Sequence, residues 1–183
     1  MEEQVQSPFQ AAVKPGLTIG LVALAITYVA YFIDSTLLAS GWFGLVAIVI
    51  FFVLIIYFGR QYRTELGGFM TFGTAFNFSF ITMIISGLVS LVGQILLYQV
   101  IDPDLPQVLA DLTFENSLSM MEKFGANPDS LSPAQLEEIR ESSSSNFTLA
   151  GQLKGFGFGL IAYAIIALIL GAVLKKRDKS LDY

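Results

Sequence analysis

The chain contains no cysteine and no histidine. Without them there is no disulfide, no thiol nucleophile, no Cys/His zinc site, no histidine-ligated haem and no Ser–His or Cys–His pair. Charge is scarce too. Of 183 residues, 14% are charged and 54% hydrophobic, against roughly 25% and 45–50% in soluble domains. The net charge of −5 argues against a nucleic-acid binder, whose affinity rests on cationic contacts with phosphates. An apolar, charge-poor chain of this kind points to a membrane protein.

What the chain does have is long charge-free runs. They cover residues 15–33, 35–59, 66–101 and 155–174. About 20 apolar residues cross the roughly 30 Å of bilayer hydrocarbon. Four spans are therefore expected, at about 16–33, 41–58, 76–98 and 155–174. The third run is too long for a single crossing, and its glycine-rich beginning, 66–73, reads as an interfacial or short re-entrant lead-in. Glu2 and Glu3 precede the first span, and its apolar run exceeds the usual core of a signal peptide, so it reads as a retained helix. The expected fold is all-α: one integral-membrane four-helix bundle over residues 1–183.

Orientation follows from lysine and arginine near the spans. Lys14, Arg60, Arg63, Lys175, Lys176, Arg177 and Lys179 fall on one side, and Lys123, Arg140 and Lys154 on the other. Seven cations against three place both termini in the cytoplasm. The connection 102–146 then lies outside and carries nine acids against two bases. Val108, Leu109, Leu112, Phe114, Leu118, Met121 and Phe124 recur near helical spacing and end at Gly125. Ser132, Pro133 and Gln135 form a capping-box start for a second short helix, running to about Arg140. The serine run 142–145 reads as a flexible return to the membrane.

Helices in lipid associate through close backbone approach and interhelical hydrogen bonds, so small and polar residues mark packing faces. In span 1 these are Gly16, Gly20, Ala23, Thr27, Ala30 and Asp34. In span 3 they are Ser79, Thr82, Ser86, Ser90 and Gln94. In span 4, Gly155, Gly159, Tyr163, Ala167 and Gly171 recur every fourth residue. Gln94 and Asn77 are expected as buried packing contacts. Span 2 is bulky throughout and is expected toward lipid or a partner.

No carboxylate, lysine or arginine lies inside the four spans. Intramembrane charges are costly and usually functional, so their absence argues against a proton relay, a voltage sensor or an ion-coupled carrier. Asp34 and Asp102 sit at span ends, where ending a helix explains them. No catalytic, cofactor or metal residue is expected. One polar cluster merits attention. Arg60 and Arg63 share a face if span 2 runs one more turn, and Gly67 and Gly68 permit a tight turn before the next helix. Two guanidinium groups plus free helix-start amides would suit a lipid phosphate or a partner's carboxylate.

The segment Leu54-Ile55-Ile56-Tyr57-Phe58-Gly59-Arg60 leads to Tyr62-Arg63-Thr64-Glu65-Leu66-Gly67-Gly68-Phe69 and Met70-Thr71-Phe72-Gly73-Thr74-Ala75-Phe76. Span 3 follows and closes with Ile101-Asp102-Pro103. With Pro15-Gly16 before it and the basic tail after span 4, this resembles the bacterial membrane proteins grouped as domain of unknown function 4199. The resemblance implies a four-span inner-membrane protein with an extracytoplasmic helical loop, and no established activity, cofactor or catalytic residue. It also implies a partner, with a membrane-associated glycosyltransferase as one candidate. The expected function is a non-catalytic scaffold or accessory subunit, embedded in the lipid bilayer and bound to another membrane protein or to itself. The alternative is a small transporter or channel component.

Overall fold

The structure is a computed structural model that describes residues 6–177. Lys179 lies outside the described residues. Helix α1, Pro8–Ile33, starts at a capping box in which Ser7 and Gln10 satisfy each other's backbone amides, with proline at the first helical position. It ends at Asp34, and a 3-10 turn, Ser35–Ala39, reverses the chain. Helix α2 spans Gly41–Glu65 and α3 spans Phe72–Leu96, running on into a π-helical turn, Leu97–Ile101. Then come α4, Leu105–Lys123, a 3-10 turn, Pro128–Ser130, α5, Pro133–Ser145, and α6, Leu149–Leu174. Helices α1, α2, α3 with its π turn, and α6 are long and apolar enough to cross a membrane.

Several boundaries differ from the sequence reading. The glycine-rich segment 66–73 divides between a turn and the start of α3. Residues 66–71 form a turn, and Thr71 caps α3 by accepting a bond from the Thr74 amide. Helix α6 begins at Leu149, ahead of the charge-free run, and takes in Lys154. The serine run is helical rather than a flexible return. Ser143 Oγ donates to the Ile139 carbonyl, Ser144 Oγ to Glu141 and Ser145 Oγ to Ser142, and Ser143 is buried. Hydroxyls that bond back one turn can satisfy themselves inside a helix.

Helix α3 is the centre of the bundle, with α1 on one side and α6 on another. Glycine on α1 makes the first contact close. A Cβ added at Gly16 would lie 2.7 Å from Ile85 Cβ and 3.1 Å from the Thr82 carbonyl oxygen. At Gly20 it would lie 2.6 Å from Val89 Cβ and 3.0 Å from the Ser86 carbonyl oxygen. Further along the pair the glycine belongs to α3. Leu24 covers Gly93, and the Tyr28 hydroxyl donates to the Gly93 carbonyl at 3.0 Å. Thr27 bonds its own helix at Ala23 and lines a small cleft toward α2 instead of meeting α3.

On the other side of α3, the last turns of α6 pack tightly. Gly171 sits against Phe72 and Phe76, and Ala167, Leu170 and Leu174 are buried. Gly155 and Gly159 are not packing glycines within this chain. A Cβ at Gly155 would meet nothing, and one at Gly159 only Tyr163 of its own helix. The reason is helical arithmetic. At 3.6 residues per turn, a row of every fourth residue winds about 40° per step, so Gly155 points nearly opposite to Gly171. Toward the start of α6 the glycine is Gly87 of α3, which receives Tyr163 and Phe156.

Ser79, Thr82 and Ser86 of α3 are fully or nearly fully buried, whereas Ser90 and Gln94 are half-buried and Asn77 is exposed. Asn77 sits on the outer side of the first turns of α3, between the buried Ala75 and Phe78 positions, and is no packing contact within the chain. Helix α2 is peripheral. Leu45, Val46, Val49, Val53 and Tyr57 are each more than half exposed, an arrangement suited to lipid and not to water.

Candidate functional site

The start of α1, the α2–α3 turn and the last turn of α6 meet at one end of the bundle. Helix α2 does continue past Gly59 to Glu65, which places Arg60 and Arg63 one turn apart on the same side. Their fates differ. Arg63 is half-buried, and its Nη1 donates to the Leu174 carbonyl at 3.2 Å. A helix leaves its last carbonyls unpaired and partly negative, so a guanidinium there satisfies both needs. Arg60 is exposed.

Gly67 and Gly68 adopt φ of 82° and 89°, the left-handed region that glycine enters without strain. Their amides are not free. The Gly67 N–H donates to the Thr64 carbonyl at 3.0 Å and the Gly68 N–H to the Arg63 carbonyl at 2.9 Å, which closes the end of α2. Of Arg60, Arg63, Gly67 and Gly68, only Arg60 thus presents an exposed guanidinium. The glycine donors complete a helix cap, and Arg63 caps another helix.

What they build is a clasp. Met70 and Lys176 exchange two backbone hydrogen bonds, of 3.0 and 2.9 Å, the single bridge between extended segments among the described residues. Lys176 Nζ lies 5.6 Å from the centre of the Phe69 ring, within cation–π range. Tyr62 stacks on Phe78 at 5.1 Å, and its hydroxyl donates to the Gln6 carbonyl at 2.9 Å. The α2–α3 turn thus holds the start of α1 and the end of α6 together. Sequence reasoning missed these ties because each depends on a partner distant along the chain.

A family model described as a protein of unknown function, DUF4199, matches residues 14–176. The chain belongs to this family. No curated protein and no solved structure matches it. The match runs from the first turns of α1 to Lys176, so in this DUF4199 member it includes both strands of the clasp.

The opposite end is closed by α4 and α5. The Tyr31 hydroxyl donates to Asp102 Oδ2 at 3.0 Å, while Asp102 Oδ1 accepts from the Asp104 and Leu105 amides. Asp102 therefore does more than stop a span: it ties α1 to the start of α4. Leu97, Tyr98, Leu105 and Leu109 form a small core there with Tyr28, Tyr31 and Phe147 packed on it. Asn116 Nδ2 donates to the Ala39 carbonyl at 3.1 Å, bringing α4 over the 3-10 turn. Asp34 accepts from the Thr36 hydroxyl at 2.7 Å and the Thr36 amide at 2.9 Å, and these bonds hold its carboxyl below the usual carboxylate range. Asp34 and Asp102 thus have separate structural partners. Among the described residues no three acidic, cysteine or histidine side chains converge as metal ligands.

Proposed function

We propose that this DUF4199 protein is a non-catalytic accessory or scaffold subunit of a bacterial inner membrane, with both termini in the cytoplasm. The observation that carries this reading is the chemistry of the bundle interior. Its buried polar side chains are the hydroxyls of Ser79, Thr82 and Ser86 with the amide of Gln152, and among the described residues no buried charge accompanies them. Proton and ion coupling usually need an intramembrane charge. The charged side chains lie toward the two ends, and Lys14, Arg60, Arg63, Lys175, Lys176 and Arg177 share the clasp end, which suits the cytoplasmic side.

Transport is the second reading. It is favoured by Ser79 and Thr82, whose hydroxyls have no hydrogen-bond partner in the protein. Against it, Gly16 and Gly20 bring the α1 backbone directly onto this part of α3. Purification of the full chain in mild detergent after cross-linking in native membranes separates the two readings. A stoichiometric membrane partner, with a membrane-associated glycosyltransferase as the first candidate, supports the accessory role. A self-assembly that moves solute when reconstituted into vesicles overturns it.

A further inference from the structure

A cavity of about 410 Å³ opens where the π turn of α3, the start of α4, the end of α5 and the start of α6 meet. Its volume lies within the range of about 300–1,000 Å³ typical of small-molecule sites. Its wall includes Tyr98, Gln99, Gln107, Ser144, Phe147 and Thr148, and no charged side chain lines it. We propose that this cavity binds an uncharged, hydroxyl-rich group, of the sugar or glycerol type, at the membrane edge of the α4–α5 cap.

Four observations carry the assignment. Tyr98 lines the cavity with only 8% of its surface exposed, and its hydroxyl makes no hydrogen bond among the described residues. The ring is buried while the hydroxyl stays accessible, so an incoming hydroxyl group has a partner there. Tyr98 and Phe147 meet edge to face at 6.0 Å, which gives the wall aromatic surface for the C–H faces of a polyol. Gln99 and Gln107 add amides that both donate and accept, matching hydroxyl groups and not an acceptor-only anion. Finally, the π turn is the device that carries Tyr98 and Gln99 to this wall, and such turns recur at functional sites.

The surroundings select against phosphate. Gln107 already donates to the Asp111 carboxylate at 3.3 Å, and Ser144 donates to the Glu141 carbonyl. The Asp111 carboxylate thus sits on a lining residue, and Asp102 and Glu141 are near the lining in sequence, next to Pro103 and three residues before Ser144. Arg140, the nearest guanidinium along α5, lies over the Phe114 ring at 4.8 Å and 4.0 Å from Asp111. The start of α6 alone favours an anion, and the acidic neighbours oppose it. This assignment is independent of the accessory role proposed above.

The test uses the full chain in phosphatidylcholine nanodiscs, whose headgroup carries no hydroxyl. Methyl glucoside, followed by saturation-transfer NMR, probes a free sugar. Monoglucosyl diacylglycerol at low mole fraction, followed by native mass spectrometry, probes a lipid-borne one. Inorganic phosphate is the anionic probe. We expect one of the two sugar probes to bind. Tyr98→Phe should weaken it about two- to tenfold, the usual range for one hydrogen bond, and adding Gln99→Ala should weaken it further. Tyr98→Phe keeps the ring and breaks no protein hydrogen bond, so its thermal midpoint should match wild type and separate lost binding from lost folding. The proposal is overturned if neither sugar probe binds, if wild type and the double variant bind equally, or if phosphate binds in preference.

Discussion

Arg63 donates through Nη1 to the carbonyl of Leu174, a residue 111 positions further along the chain. One guanidinium therefore fixes where α6 ends relative to α2. Arg63→Ala should destabilise the bundle by about 1–3 kcal/mol, the range for a hydrogen bond to a charged group with one partner left unpaired. Arg60→Ala, at an exposed position on the same helix, should cost much less. Thermal unfolding of both variants in one detergent provides the comparison. Equal losses would mean that Arg63 acts only as a topological charge.

The glycines of α1 and α6 should respond in opposite ways. Gly16→Leu and Gly20→Leu drive side chains into Ile85, Val89 and the α3 backbone, and should cost about 1–3 kcal/mol each through overpacking. Gly159→Leu enters open space and should leave stability unchanged or slightly raised, since glycine is the poorer helix former. Detergent-state thermal midpoints test the contrast. A Gly159→Leu loss matching that of Gly20→Leu would show a close neighbour on α6 that the monomer lacks.

That contrast also shows how far the sequence could be read. The α1 stripe alternates steps of four and three, which tracks 3.6 residues per turn, so Gly16 and Gly20 mark a face that meets α3. The α6 row uses only fours and drifts around the helix, so Gly155 and Gly159 could not share a face with Gly171. Four spans were legible because charge is absent over whole helix lengths. Helix ends were less so. The α2–α3 turn depends on Lys176 pairing with Met70, and the serine run stays helical with Ser143, Ser144 and Ser145 bonding carbonyls one turn back. The cavity wall depends on a π turn, for which residues 97–101 carry no obvious signal.

The Tyr31–Asp102 bond predicts coupling between α1 and α4. Asp102→Ala removes the acceptor for the Tyr31 hydroxyl and for the amides of Asp104 and Leu105. Loss of comparable cap bonds costs about 1 kcal/mol. Hydrogen exchange in the first turn of α4 should speed up, and Tyr31→Phe should produce a smaller change in the same amides. Unchanged exchange in Asp102→Ala would show that the α4 start is held by its apolar contacts alone.

Asp34 predicts a pH effect of known sign. The Thr36 hydroxyl, and then the Thr36 amide, lower its folded-state pKa. A carboxyl depressed on folding stabilises the native state above its unfolded pKa, and that contribution is lost as pH falls through the folded value. Thr36→Val removes the larger cause and should move the Asp34 titration upward, while the amide bond keeps it below the free value. Carboxyl-carbon NMR of selectively labelled protein reads this directly. An unmoved titration would assign the shift to the backbone amide.

Topology offers a prediction that two fusion points read. The clasp end holds the start of α1, the α2–α3 turn and the end of α6, so whatever side takes one must take all three. Six cations of the described residues gather there, and the α4–α5 cap at the other end is acidic. The cation bias should place the clasp in the cytoplasm. Ser143 is buried within α5 and would tolerate a fusion poorly, whereas Ala126 and Asn127 are exposed between α4 and the following 3-10 turn. Alkaline phosphatase inserted after Ala126 should be active, because it folds only outside the cytoplasm. Fused after Arg177 it should be inactive, while a cytoplasm-dependent fluorescent protein at the same point should shine. The opposite pattern at both points would invert the orientation and leave the bundle intact. Activity of one reporter at both points would break the clasp itself, since the two ends of the four-span bundle would then lie on the same side.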